Sequence, residues 1–221
     1  MSKTETISRI TSIGIIPVVR ASSKEEALAV VEAIAAGGIK TVEITMTVPN
    51  AVEVISSLCA QRDDLLIGAG SVLDPETARE CIAAGAQFIV SPATNFDTIL
   101  YCNDTEIVIM PGALTPTEIV NAWEAGADFV KVFPADSMGG AKYLRSLKAP
   151  LPQIKLIPTG GVSQQTAAEY IKAGAEAIGV GADLADVSAI REGRPGDITL
   201  AAKKYLEIVA GARAEGIGLS A

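Results

Sequence analysis

The stretch IGIIPVVRASSKEEALAVVEAIAAGGIKTVEITMT, residues 13–47, holds one complete strand–helix–strand unit. It opens on an apolar, β-branched run over 13–20 and closes on a second over 41–47. Between them, residues 24–36 carry apolar side chains at helical spacing, and Glu32 interrupts the stretch from Ala27 to Ile39 as the polar face of a core helix does. Gly37-Gly38 then supplies the left-handed turn that ends a helix. Outward from this unit the same phrase recurs. Further candidate strands lie at 66–72, 88–92, 107–112, 129–134, 155–160 and 177–181, which brings the total to eight. Helical segments fall near 50–61, 75–84, 95–102, 116–124, 140–147, 164–172 and 197–212. Gly85, Gly126 and Gly174 repeat the closing turn, while Asp74-Pro75, Thr115-Pro116 and Ser163 are helix-opening signals. No linker or low-complexity segment divides the chain. The pattern predicts an α/β fold, a (β/α)8 TIM barrel forming a single domain over 1–221, with a short N-terminal helix covering the base. A doubly wound open sheet is the rival, and it more often uses about five or six strands.

Composition narrows the chemistry. Of 221 residues 49% are hydrophobic and 20% charged, which excludes disorder and supplies a large core. There is no His, so Ser-His-Asp and Cys-His machinery, an imidazole base and His-ligated metal are all excluded. Acid–base work near neutral pH falls to a carboxylate, Lys, Tyr or Cys. The net charge of −8 disfavours nucleic acid as a partner. Mean hydropathy is high at +0.36, yet no apolar run approaches the ~18 residues of a membrane span. The N-terminus, with Lys3, Glu5 and Arg9, lacks the apolar core of an export signal. Cys59, Cys81 and Cys102 are odd in number and form no CxxC, as expected of reduced, buried thiols in a cytoplasmic chain.

Two strands carry an ionisable group where an apolar one belongs. Glu43 shares parity with Thr41, Thr45 and Thr47, while Val42, Ile44 and Met46 form the apolar face. Lys131 shares parity with Phe129 and Phe133, against Val130 and Val132. Side chains of barrel strands alternate between interior and helix layer, so both should point inward. The second and sixth strands of an eight-membered ring face each other, and two long side chains can meet near its axis. One reading is a structural ion pair, although such pairs are rarely a net gain in stability. The other is catalytic: burial disfavours the charged form of an amine and frees its lone pair, as a Schiff-base nucleophile requires. A neighbouring carboxylate then serves as proton shuttle.

Signals for anion binding gather at the carboxyl ends of the seventh and eighth strands. Thr159-Gly160-Gly161 follows one, and Gly179-Val180-Gly181-Ala182 follows the other. Such loops often present backbone N–H groups to a phosphate, though glycines also make ordinary tight turns. Ser71 brings a hydroxyl to the same rim. Arg20 ends the first strand there, suited to a substrate carboxylate or to plain solvation. Trp123 sits on a helix face, where core packing or a subunit contact is its ordinary use.

Read in order, GluIleThr at 43–45, GlyAlaGlySerVal at 68–72, SerPro at 91–92, ProGly at 111–112, LysValPhePro at 131–134 and ProThrGlyGlyVal at 158–162 closely resemble one family across essentially the whole chain. It is the 2-keto-3-deoxy-6-phosphogluconate (KDPG) / 4-hydroxy-2-oxoglutarate (KHG) aldolases, class I carbon–carbon lyases on a (β/α)8 barrel. The resemblance implies Lys131 as the Schiff-base lysine and Glu43 as the acid/base acting through a bound water. It implies a pocket lined by Pro92 and Phe133, with Thr159, Gly160 and Gly161 toward the distal, phosphorylated part of the substrate. It further implies a cytoplasmic homotrimer that uses no metal or other cofactor and has a keto acid and pyruvate as its small-molecule partners. Three positions depart from the family. Thr47 stands where many members have the carboxylate-binding Arg, and Arg20 is expected to take over that role. Ser71 replaces Thr and keeps the hydroxyl. Gly181-Ala182 replaces Gly-Ser and removes a side-chain phosphate donor.

The reaction implied is reversible cleavage of a 2-keto-4-hydroxy acid to pyruvate and an aldehyde, with KDPG as the leading substrate. Its rivals are the same mechanism on 2-keto-3-deoxy-6-phosphogalactonate or an unphosphorylated acid, and a phosphosugar isomerase or epimerase. A barrel without activity, used as a binding or scaffold module, is the rival from another class.

Overall fold

Alternation along the strands sorts the core into two layers. The computed structural model describes residues 1–217, so the last four residues of the expected 1–221 domain lie outside the described residues. The elements run α1 (Lys3–Ile13), β1 (Ile15–Val19), α2 (Lys24–Ala36), β2 (Thr41–Thr45), α3 (Ala51–Gln61), β3 (Leu66–Gly70), α4 (Pro75–Ala83), β4 (Phe88–Val90) and α5 (Phe96–Asp104). They continue with β5 (Val108–Met110), β6 (Gly112–Ala113), α6 (Pro116–Glu124), β7 (Val130–Val132), a 3-10 turn (Asp136–Met138), α7 (Ala141–Lys148), β8 (Leu156–Pro158), α8 (Ala167–Lys172), β9 (Ile178–Val180), α9 (Val187–Arg191) and α10 (Pro195–Ile217). Every paired strand is parallel. No helix among the described residues is long and apolar enough to cross a membrane.

The architecture is an α/β fold with a curled parallel sheet, but its ladder is not one continuous ring. Six strands pair in the order β5-β4-β3-β2-β1-β9, and three in the order β6-β7-β8. The fifth expected strand, 107–112, is divided at Pro111, which has no N–H to give a ladder, into β5 and β6. On the other side, β8 and β9 are joined by an isolated parallel bridge, Thr159 to Gly179, and by Glu176 N–H donating to Leu156 O at 2.9 Å.

Helix ends follow the sequence signals closely. Asp74 accepts from Thr77 N–H, and Thr115 with Glu118 forms a full capping box. Ser163 is the exception: α8 starts later, after Thr166, and Ser163 instead donates its N–H to Thr166 Oγ1 at 3.0 Å. The left-handed residue after α2 is Gly38, with φ of 98°, one position beyond the cap.

Ile16, Leu66, Phe88, Val90, Val108, Met110, Phe129 and Ile157 pack together inside the sheet. Ile10 of α1 joins them from below at 0% exposure, with Ile7 beside it, so the first helix does plug the base. The opposite strand faces, including Val42, Ile44, Val130 and Val132, pack against the helices. Trp123 is half-buried against that outer layer. β2 adds no apolar side chain to the inner layer. It contributes Thr41, Glu43 and Thr45, all buried.

Candidate active site

Parallel register aligns the inner residues into rows. Val18 pairs with Glu43, Glu43 with Gly68, Gly68 with Phe88 and Phe88 with Val108. In the other sheet Gly112 pairs with Lys131, and Lys131 with Ile157. The two ionisable side chains meet inside. Lys131 Nζ lies 3.9 Å from Glu43 Oε1, with side chains 5% and 3% exposed. Lys131 Nζ also sits 5.3 Å from the centroid of the Phe133 ring.

Space for the carboxyl group is written into β3. A Cβ on Gly70 would lie 1.9 Å from Glu43 Oε1, and one on Gly68 would lie 2.2 Å from the Phe88 ring. Glycine at these inner positions admits the carboxyl group and the ring. Glu43 Oε1 is buried with no hydrogen-bond partner among the described residues. A buried polar atom left unpaired costs ~1–3 kcal/mol, which a structural ion pair has every reason to avoid.

Two cavities open at the carboxyl ends of the strands; neither Lys131 nor Glu43 lines them, but Phe133, whose ring Lys131 faces, lines both. The smaller, about 230 Å³, is lined by Arg20, Phe133, Thr159, Gly160, Gly161, Gly181, Ala182 and Asp183, among others. The structure thus brings together the two glycine turns that lie far apart in sequence. Thr159 is 5% exposed and packs its hydroxyl where a Gly179 side chain would stand. The larger cavity, about 400 Å³, takes in Pro92, Thr94, Gly112, Leu114 and Asn121. Pro92 and Phe133 therefore line one cavity.

Thr47 and Ser71 line neither cavity. Thr45 gives its hydroxyl proton to Val19 O at 3.1 Å, so across the 2.7 Å contact between the two threonines Thr47 is the donor. The Thr47 proton is therefore committed within the protein. Ser71 is half-buried at the end of β3 in a left-handed conformation, φ 59°, which few non-glycine residues adopt. Arg20 is exposed and lines the smaller cavity, Nη1 3.4 Å from where a Gly181 side chain would begin. It joins the glycine turns rather than standing alone at the rim. Asp183 was not legible as a site residue. Its only signal is a carboxylate directly after Gly181-Ala182, and its partner Tyr205 lies in a distant helix.

A buried amine beside a buried carboxyl group, with cavities at the carboxyl ends of the same parallel strands, is equipment suited to imine chemistry in an α/β enzyme. The family model for KDPG and KHG aldolase matches residues 6–200. The 2-dehydro-3-deoxy-phosphogluconate aldolase of Treponema pallidum (strain Nichols) is 34% identical over 197 residues, covering 89% of this chain and 94% of its own. A KDPG aldolase from Legionella pneumophila, solved with pyruvate captured as a covalent carbinolamine, superposes with a TM-score of 0.84 at 31% identity, covering 91% and 98% of the two chains. A cube-shaped cage designed by fusing symmetric oligomeric domains contains a chain 31% identical to this one, with a TM-score of 0.83 and coverage of 94% and 76%. The chain belongs to the KDPG and KHG aldolase family, whose members are carbon–carbon lyases.

Proposed function

We propose that the protein cleaves KDPG, reversibly, to pyruvate and glyceraldehyde 3-phosphate, and acts on KHG by the same steps. The observation that carries this reading is the 3.9 Å approach of the Lys131 amine to a buried Glu43 carboxyl oxygen that has no hydrogen-bond partner among the described residues. Lys131 Nζ attacks the C2 ketone, and loss of water from the carbinolamine gives a protonated imine. Glu43, through water, takes the proton of the C4 hydroxyl. The C3–C4 bond breaks, its electron pair moves into the iminium, and the aldehyde leaves. The resulting enamine is protonated at C3, and hydrolysis returns pyruvate and the free amine.

Phe133 and Pro92 form the apolar walls that hold the pyruvate moiety. Thr159, Gly160, Gly161, Gly181 and Ala182 receive the distal end of the substrate. Arg20 is the cationic side chain of that lining, and it offsets the hydroxyl absent at Ala182. Ser71 keeps a hydroxyl at the rim on the carboxylate side, whereas Thr47, its proton already given to Thr45, does not donate to the carboxylate. Replacing Arg20 with Met should raise KM about tenfold or more, the worth of one charge-assisted hydrogen bond. Comparing pyruvate binding with KDPG cleavage in that variant tells which anionic end Arg20 holds.

We also infer that the two sheets form one closed (β/α)8 barrel, a single domain over 1–221, with Pro111 and the Thr159–Gly179 bridge as its seams. A homotrimeric, cytoplasmic state is part of the proposal. It is supported by the oligomeric domain of the related cage and by the exposed apolar side chains Leu73, Phe96 and Leu100, of which Phe96 lines the larger cavity. Borohydride reduction in the presence of pyruvate tests the mechanism. A stable adduct should form on Lys131 and vanish in Lys131→Ala. Active, folded protein that gains no mass would sink the Schiff base.

A further inference from the structure

The two glycine turns of the smaller cavity belong to different elements, and each closes on itself. After β8, Thr166 Oγ1 donates to Gly161 O at 3.1 Å and accepts from Ser163 N–H at 3.0 Å. After β9, the N–H groups of Leu184 and Ala185 both reach Gly181 O, at 3.0 and 2.9 Å. Asp183 crosses between them. Its Oδ1 accepts the Gln164 N–H of the β8 turn at 3.2 Å and the hydroxyl of Tyr205. Tyr205 is 0% exposed within α10. One carboxylate oxygen therefore ties the β9 turn to the β8 turn and fastens both to a helix held in the core. Bonds to an ionised acceptor are shorter and stronger than neutral ones. Burial, then the bond to Asp183, holds the Tyr205 hydroxyl far above its ordinary pKa, so it stays a donor.

We propose that Asp183 is a positioning residue: it sets the spacing of the two glycine turns around the distal phosphate, and through them the preference for phosphorylated over unphosphorylated keto acids. The proposal rests on the aldolase reading above. Backbone N–H groups bind an anion only where their geometry fits it, and a misplacement of ~1 Å can cost ~10²-fold. A phosphorylated substrate uses both turns, whereas a shorter, unphosphorylated one does not reach across them.

The test is the ratio of kcat/KM for KDPG to that for 4-hydroxy-2-oxoglutarate. In Asp183→Ala this ratio should fall about tenfold or more, carried by KM for KDPG, since bonds to a charged acceptor are lost. Asp183→Asn keeps an oxygen acceptor without the charge and should lose less of the ratio than alanine. Tyr205→Phe, which keeps the buried ring, should fall between them and covers the case in which the alanine variant fails to fold. An unmoved ratio overturns the proposal, as does an equal loss on both substrates or an asparagine variant as impaired as alanine. Borohydride trapping of pyruvate separates the failures. Trapping in parent and variant with an unmoved ratio overturns the positioning role alone. No trapping in the parent overturns the aldolase reading, and the role of Asp183 with it.

Discussion

Glu43 can sit where it does because a strand away there is no side chain at Gly70. Its carboxyl group leans toward Lys131 across a space that any Cβ on Gly70 would fill. Gly70→Ala should push the carboxylate aside and lower kcat on the order of 10²-fold, while pyruvate is still trapped on Lys131 by borohydride. Glu43→Gln keeps the shape and removes the proton carrier. It should cost kcat ~10²–10⁴-fold, the usual range for a positioned acid/base, with imine formation still detectable by mass. Full turnover in either variant would show that the proton travels elsewhere. The parity of Glu43 and Lys131 was plain in the sequence because neighbours in a strand point to opposite faces. The matching glycine was not, because only register decides which strand neighbours fall side by side.

At the scale of elements, α1 is a plug and its worth is separable from catalysis. Ser2 and Glu5 close a capping box at its start, and Ile10 at 0% exposure fills the inner core from below. Arg213 of α10 holds its end, donating to Thr11 O at 2.6 Å, Ser12 O at 2.8 Å and Glu176 O at 3.0 Å. Ile10→Ala should lower unfolding stability by ~2–5 kcal/mol in urea titrations, because a buried aliphatic side chain is replaced by a cavity. kcat should stay near the parent value, since the site lies at the other end of the strands. The existence and order of these elements was legible from periodicity and caps. The division at Pro111, the late start of α8 and the short α9 were not. Each depends on which neighbour offers a hydrogen bond, and composition alone does not carry that.

For the whole molecule, pH should mark both limits of stability. Backbone N–H bonds hold the carboxyls of Asp74 and Glu118 below their ordinary values, and a bond from Arg62 does the same to Asp64. Such groups stabilise the fold above their unfolded pKa, about 4, and the contribution is lost as pH falls through the lower folded values. Burial raises the thiols of Cys81 and Cys102 to about 11 and about 12. Their contribution is full below the unfolded value of about 8.5 and disappears as pH rises toward the folded ones. Tm should therefore hold a plateau between about pH 5 and pH 8 and decline on either side. A Tm that stays flat down to pH 3 would contradict the acid limb. At pH 8 a thiol reagent should modify Cys81 and Cys102 only on unfolding, a count that titration with and without denaturant measures directly.

The sequence by itself determined the α/β repeat, the inward direction of Glu43 and Lys131, and the presence of two glycine turns after the last two strands. It did so because side-chain parity, helical period and turn chemistry are local properties of the chain. Tertiary structure alone decided that the amine and carboxyl group approach to 3.9 Å, that Arg20 joins the glycine turns, and that Asp183 reaches both Gln164 and Tyr205. Those are distances between segments remote in sequence. They are fixed by strand register and by the packing of helices against the sheet, which no local pattern encodes.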